Sequence, residues 1–473
     1  MASGKVVMTQ GPLLGVLLRV AGPITAAGLA QSVHQLVNAY FVGRLGAEAI
    51  AAVAASGPLF TLFLSLGSGL STAGAVLVVQ NAGAGKRAAT DRVAAQTLLM
   101  VLALGLCFAA LGFLAAPAIL RLIGIEAAVL DLTLGYLNVT YAGIVAMFAF
   151  LALQAMLQSA GEVRYAMKVA ICAVLLNIVL DPLLIFGVGS WEGWGVPGAA
   201  AATVIARTAA FLVLLHHMMS GRSALHLKRA DLRPDARYFR LALDIGLPAS
   251  LEQGGRTFGS LLLMSLAALF GTVSLAAYGV GARPFFFWFT PMIGLSIATA
   301  AVVGQNIGAG RMDRAEEAAR VSGWLSFVGF TVIGLVHLPL LRPLAAALAP
   351  GETRVIEQAM DFGWAVFPFM GFMAAVQALC GVFRGAGSTR QSMMISLIMQ
   401  YVLQLPFAWG VAYFTSFGVL GVWWSYAFAN VITLGIAIDW LLRGPWRKQL
   451  VEGAPPPAEH RVAGPPTKVR TAG

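Results

Sequence analysis

Gln80-Asn81-Ala82-Gly83-Ala84-Gly85 returns 225 positions later as Gln305-Asn306-Ile307-Gly308-Ala309-Gly310. The match runs backwards from there: between Gly69–Gly85 and Gly294–Gly310, eleven of seventeen positions are identical. At the same offset Pro23 falls on Pro248 without a gap. Further along, Ala160-Gly161-Glu162-Val163-Arg164 falls on Ala386-Gly387-Ser388-Thr389-Arg390, and Gly195-Val196-Pro197-Gly198 on Gly418-Val419-Leu420-Gly421. Alanine-rich composition can mimic one such match, but not three in order at a nearly constant offset. The chain is an internal duplication.

The repeated unit is a bundle of membrane helices. Of the 473 residues, 59% are hydrophobic and 11% charged, where soluble proteins carry about 25% charge; mean hydropathy is +0.82. Apolar runs of membrane-spanning length lie near 18–42, 47–80, 94–119, 128–158, 166–188, 197–219, 241–270, 273–306, 320–347, 359–383, 392–416 and 419–442. The second and eighth exceed one bilayer and predict tilt, a kink or extension into water. Six spans per repeat return the chain to the same side, so the halves share one orientation about an axis along the membrane normal. The expected fold is an all-α polytopic membrane protein of about twelve transmembrane helices in two six-helix lobes. The expected division is an N-terminal lobe at 1–220, a basic linker at 221–240, a C-terminal lobe at 241–442 and a disordered, proline-rich tail at 443–473.

The net charge of +11 does not point to nucleic acid, because no basic run with interleaved aromatics forms a binding face. It falls in alternate loops: Lys86, Arg87 and Arg92; Arg164 and Lys168; Arg222 to Arg240; Arg311 and Arg314; Arg390. That asymmetry places both termini in the cytoplasm. Cys107, Cys172 and Cys380 lie in apolar runs, without disulfide or zinc spacing. No cleavable signal peptide is evident, no phosphate loop supports direct ATP drive, and no hydrolase motif or selectivity ring is visible.

One polar step interrupts the fifth run. Asn177 and Asp181 are four apart on one helix face, and Pro182 leaves a main-chain carbonyl one turn back without its donor. A carboxylate inside a span costs several kcal/mol, roughly 2.5–3.5 on insertion scales, so a functional role is the default reading. Carboxylate, amide oxygen and carbonyl are the oxygen ligands that a proton or a small hard cation needs. A neutral aspartate bonded to a neighbouring helix for packing is the alternative.

Val42-Gly43-Arg44-Leu45-Gly46, the repeated Gln-Asn-x-Gly-Ala-Gly, the paired Ala-Gly-x-x-Arg turns and Asn177…Asp181-Pro182 together resemble the multidrug and toxic compound extrusion (MATE) family over about residues 12 to 442, closest to its prokaryotic DinF-like branch. The resemblance implies two lobes around a V-shaped cavity and export of mostly cationic, amphipathic compounds driven by proton or sodium entry. It assigns Asn177 and Asp181 to the cation site of the N-terminal lobe and Thr203 to a nearby hydroxyl. Where many relatives carry an acid followed by Thr in the first helix, this chain has Asn38-Ala39. The missing carboxylate favours H⁺ over Na⁺ at Asp181 and Asn177, with Asn38 and Thr203 as neutral oxygens.

Other polar residues in the spans have two readings each. Glu252, opposite Ala27 in the repeat, is a second protonation or substrate-cation site, or a structural partner of Arg256 one turn on. His34 shares a face with Asn38 and could take the proton that the missing acid would carry, or bond a neighbouring helix; Gln35 is then a polar cavity residue. Arg207, four after Thr203, pairs with Asp181 or faces headgroups. Phe285-Phe286-Phe287-Trp288-Phe289 and Met292 line a greasy cavity, or pack in the core and face lipid. The expected function is a monomeric secondary antiporter without cofactor, in which Asp181 couples ion entry to export of small amphipathic or cationic molecules from the bilayer. A flippase of a lipid-linked precursor, disfavoured by the few arginines within spans, and a membrane-embedded enzyme or scaffold are the rivals.

Overall fold

The computed structural model describes residues 5–122, 124–444 and 446–447. Among them twelve helices follow one another: α1 (Leu13–Gly43), α2 (Ala47–Gly83), α3 (Arg87–Leu122), α4 (Ala127–Ser159), α5 (Val163–Phe186), α6 (Val196–Met219), α7 (Ala236–Ala268), α8 (Thr272–Gly308), α9 (Met312–Leu348), α10 (Thr353–Gly385), α11 (Thr389–Phe414) and α12 (Val419–Arg443). Eleven are long and apolar enough to cross a membrane. The twelfth, α7, falls short because Asp244, Glu252, Gln253 and Arg256 interrupt it, yet the repeat sets it against α1. Helices are the expected solution, since a bilayer offers no outside partner for backbone amides and carbonyls.

The helices outrun their apolar stretches. α3 begins at Arg87 rather than near 94, and α9 at Met312 rather than near 320. Their first turns are charged, and helical hydrogen bonding does not stop where the bilayer does. α10 and α11 are also not uniform. A 3₁₀ turn at Phe367–Phe369, around Pro368, breaks α10, and a π-helical stretch at Ile398–Gln404 breaks α11 just before Pro406. The tail beyond residue 447 lies outside the described residues.

The duplication is written into the packing. Gln80 donates its side-chain amide to the Gly385 carbonyl (3.2 Å), and Gln305 donates to the Ser159 carbonyl (2.8 Å). A Cβ on Gly83 would collide with the Gln305 carbonyl, and one on Gly308 with that of Gln80. Likewise Gly69 of α2 abuts Ser250 of α7, while Gly294 of α8 abuts Thr25 of α1. Each member of these pairs maps onto the other by the repeat offset, which is what a pseudo-twofold axis between lobes requires. Glycine at these crossings lets helix backbones approach within side-chain distance. Gly85 and Gly310 then take positive φ (69° and 71°), turning the chain into α3 and α9.

These inter-lobe bonds gather at the end of the molecule that carries the basic loops. The N-terminal segment crosses the same end. Val6 N–H donates to the Gly161 carbonyl (2.9 Å), and Asn306 and Arg314 donate to the Met8 and Gly11 carbonyls (3.2 and 2.6 Å). The lobes are therefore closed at the basic face.

Candidate functional site

A cavity of about 1000 Å³ lies between the lobes, running from Gln158, Ser159 and Gly385 at the closed face to Val42 and Ile50 at the opposite ends of α1 and α2. Most of its wall comes from the N-terminal lobe. In that wall α1, α5 and α6 bring together His34, Asn38, Asn177, Thr203 and Arg207, with Asp181 behind them.

Asp181 is fully buried and Asn177 is 3% exposed. Asn38 of α1 points its amide nitrogen at both Asp181 oxygens (3.4 and 3.3 Å), and His34 Nε2 lies 3.8 Å from Oδ2. His34 is held on both ring nitrogens: Nε2 is 2.6 Å from Asn177 Oδ1, and Nδ1 is 3.1 Å from Gln31 Nε2. The Asn177 carbonyl oxygen can only accept, so His34 Nε2 carries the hydrogen there and Nδ1 accepts from Gln31. The chain of donors then runs one way. Arg207 donates to Gln31 (2.9 Å), Gln31 to His34, His34 to Asn177, Asn177 to Thr203 (3.1 Å), and Thr203 to the Ala199 carbonyl (3.3 Å). This polarity fits a neutral imidazole. A second proton on the ring would confront the Gln31 amide nitrogen and force that amide to turn towards Arg207.

The helix explains why Asp181 sits here. Residues 177 and 181 share the buried face of α5, and Pro182 releases the Ile178 carbonyl from its helical donor. What surrounds the carboxylate is mostly N–H. Asn38 and His34 present nitrogens, and Asn177 Oδ1 is already engaged. Such a shell stabilises a carboxylate or trades it for a protonated acid, and offers few oxygens to a bare cation.

One expectation changes. Arg207 does not pair with Asp181; it bonds Gln31 and lies 5.4 Å from the centre of the Phe150 ring. The aromatic cluster follows its core-and-surface reading: Phe285 and Met292 are buried in the core of the C-terminal lobe, Phe286 and Phe287 are exposed on its surface, and none of the cluster lines the cavity. Arg207 and Arg384 are the charged residues of the cavity lining. Gln35 lines the cavity beside them.

Glu252 has its own setting. It is 2% exposed, accepts from Ser392 (2.7 Å) and Ser396 (3.3 Å) of α11, and sits 3.9 Å from Arg256. Arg256 in turn bonds Gln377 (3.2 Å) and lies 5.6 Å from the centre of the Phe289 ring. The pairing with Arg256 is thus present. At the repeat positions of Asn177 and Asp181 the C-terminal lobe has Leu403 and Phe407, but the π-helical stretch shifts the register and buries Gln400 and Gln404 nearby. Sequence reasoning passed over Gln31 and Arg384. Gln31 lies one turn before His34. Arg384 sits at the end of an apolar run, where the same cost that singled out Asp181 applies.

The chain matches the MatE family model over residues 23–183 and 248–409, one stretch in each repeat. It is 29% identical over 436 residues to the probable multidrug resistance protein YoeA of Bacillus subtilis, covering 91% of this chain and 93% of that protein. To the probable multidrug resistance protein NorM of Thermotoga maritima it is 24% identical over 436 residues, covering 92% and 93%. A solved structure, the outward-facing conformation of a multidrug resistance MATE family transporter, superposes with a TM-score of 0.87 at 22% identity, covering 94% of this chain and 98% of that one.

Proposed function

The chain belongs to the MatE family, and from that premise we propose that it is a secondary antiporter, not an enzyme, that exports amphipathic toxic compounds across a bacterial inner membrane in exchange for protons. The observation that carries this reading is Asp181: a fully buried carboxylate where α1 meets α5, contacted by neutral donors and, among the described residues, without a lysine or arginine counter-ion. A buried carboxylate of that kind changes charge at modest structural cost, whereas one held by a guanidinium does not.

α1 transmits the change. Its Asn38 and His34 reach Asp181, and its Thr25 and Gly28 pack against Gly294 and Thr290 of α8 in the other lobe. Ionised Asp181 draws the upper part of α1 onto α5. Protonation removes that attraction, and Pro23 within α1 gives the helix a place to bend. With both termini in the cytoplasm, the closed basic face is the inner one and the cavity faces outward. A proton then enters from outside, releases cargo outward, and leaves inward after the lobes rock. The protein works as a monomer. Protons are preferred to sodium because the shell of Asp181 is rich in N–H and holds one carboxylate.

Proteoliposomes holding the purified chain test this with imposed pH or sodium gradients and a fluorescent amphipathic dye. The pH gradient alone should drive flux, and Asp181→Asn should reduce it to the protein-free background while reconstituting at normal yield. Undiminished flux in that variant would sink the coupling role, and flux driven by sodium alone would replace the proton.

A further inference from the structure

The residues lining the cavity carry charge of one sign. Arg207 and Arg384 face it, and among the described residues no aspartate or glutamate does. The two carboxylates nearest by design are withdrawn: Asp181 is fully buried behind Asn38, and Glu252 is closed in by Ser392, Ser396 and Arg256.

Neither cavity arginine has a carboxylate within 4.0 Å among the described residues, in contrast to Arg256 with Glu252. Arg207 uses Nη2 on Gln31, and Arg384 uses Nη2 on Ser296 (2.9 Å) and Nε on its own helix's Cys380 carbonyl (3.3 Å). A guanidinium has five N–H donors in a planar fork, so each retains donors for an oxyanion. Half-buried positive charge without a counter-ion is costly inside a membrane protein. An incoming anion relieves that cost, and an incoming cation adds to it. The rest of the wall mixes uncharged polar side chains, Gln35, Gln154 and Gln158 among them, with apolar ones such as Leu64, Met147, Phe150 and Ile297, and the volume suits a drug-sized body.

We propose that the cargo of this chain is an amphipathic organic anion: an apolar ring system bearing a carboxylate, sulfonate or phosphate that Arg207 and Arg384 hold. This rests on the transporter reading and departs from the expectation of cationic cargo. Arg207 also ends the donor chain that reaches Asn177, so an oxyanion on its guanidinium pulls on the same network that flanks Asp181.

The test is equilibrium binding to the purified full-length chain in detergent, read by probe fluorescence and independent of any ion coupling. Three probes share one ring system: neutral N-phenylnaphthylamine, anionic anilinonaphthalene sulfonate and a trimethylammonium derivative. The sulfonate should bind about tenfold or more tightly than the cation, the equivalent of about one charge-assisted hydrogen bond. Arg207→Gln and Arg384→Gln should each weaken the sulfonate by about tenfold and leave the neutral probe within about twofold, which also reports that the cavity is intact. Equal or tighter binding of the cation by the unmodified chain overturns the proposal without any variant. So does a double arginine variant that keeps full sulfonate affinity. If selective sulfonate binding persists while proton-driven flux is absent, the coupling mechanism falls and the cargo class stands.

Discussion

Asp181 in the N-terminal lobe and Glu252 in the C-terminal lobe are both buried carboxylates, and the two are held in opposite ways. Asp181 meets an amide and an imidazole from another helix, α1, which leans on the opposite lobe. Glu252 meets two serine hydroxyls and a guanidinium, all within its own lobe. A carboxylate with a permanent counter-ion is a post: its charge is fixed, and removing it strands the partner. One supported only by neutral donors can gain or lose a proton, and its neighbours must respond. The repeat gave both lobes the same helices, but only one kept a titratable group connected to the lobe interface.

That contrast is open to direct attack. The largest effect is expected from the pair Asp181→Asn and Glu252→Gln, assayed side by side for proton-driven flux. The first should fall to background and the second should keep most of its flux, since an amide still bonds Ser392 and Ser396. Loss of flux in both, with both well folded, would make the lobes equivalent and break the comparison.

Stability should reverse the ranking. Glu252→Ala leaves Arg256 buried beside an empty position, and an unpaired buried charge costs about 3–5 kcal/mol. A clear drop in thermal midpoint is expected in detergent, with a smaller one for Asp181→Ala, whose partners are neutral. Equal drops would mean that Asp181 is as structural as Glu252.

The interface offers a third comparison. Gly83→Ala and Gly308→Ala each place a methyl against a backbone carbonyl of the other lobe, so the closed basic face cannot form. Both should raise labelling of a cysteine placed at Ser159 by a membrane-impermeant thiol reagent on the basic side, and by similar amounts. Unequal responses would show that the pseudo-twofold contacts do not share the load. The smallest effects belong to Gln80→Ala and Gln305→Ala, each removing one hydrogen bond of about 0.5–1.5 kcal/mol. Their shifts in the same labelling should match in sign.

The fold was almost wholly legible in the sequence, because twelve apolar runs and a repeat at a nearly constant offset leave few arrangements. Asp181 with Asn177 was legible for the same reason that made it costly: one charge stood out against a long apolar background. The partners were harder. Nothing in the spacing of His34 and Asn177, 143 residues apart, announces a 2.6 Å contact. Glu252 could be read either way, because the serines that close it in lie on α11 and polar residues there look like ordinary helix surface. The π-helical register in α11 was invisible, since helix pattern assumes 3.6 residues per turn. The sign of the cavity was missed because it depends on which charges are turned away from it, a property of packing and not of composition.

The closed basic face carries one more consequence. Part of its seal is backbone on backbone, with Gly83 and Gly308 set against the carbonyls of Gln305 and Gln80. Gaps between packed side chains can hold a single file of water, and a water file conducts protons. Main chains in glycine-to-carbonyl contact leave less room for one. If export spends a proton gradient, as proposed, any leak through the shut face would short-circuit it, and the glycine-to-carbonyl contacts narrow that path.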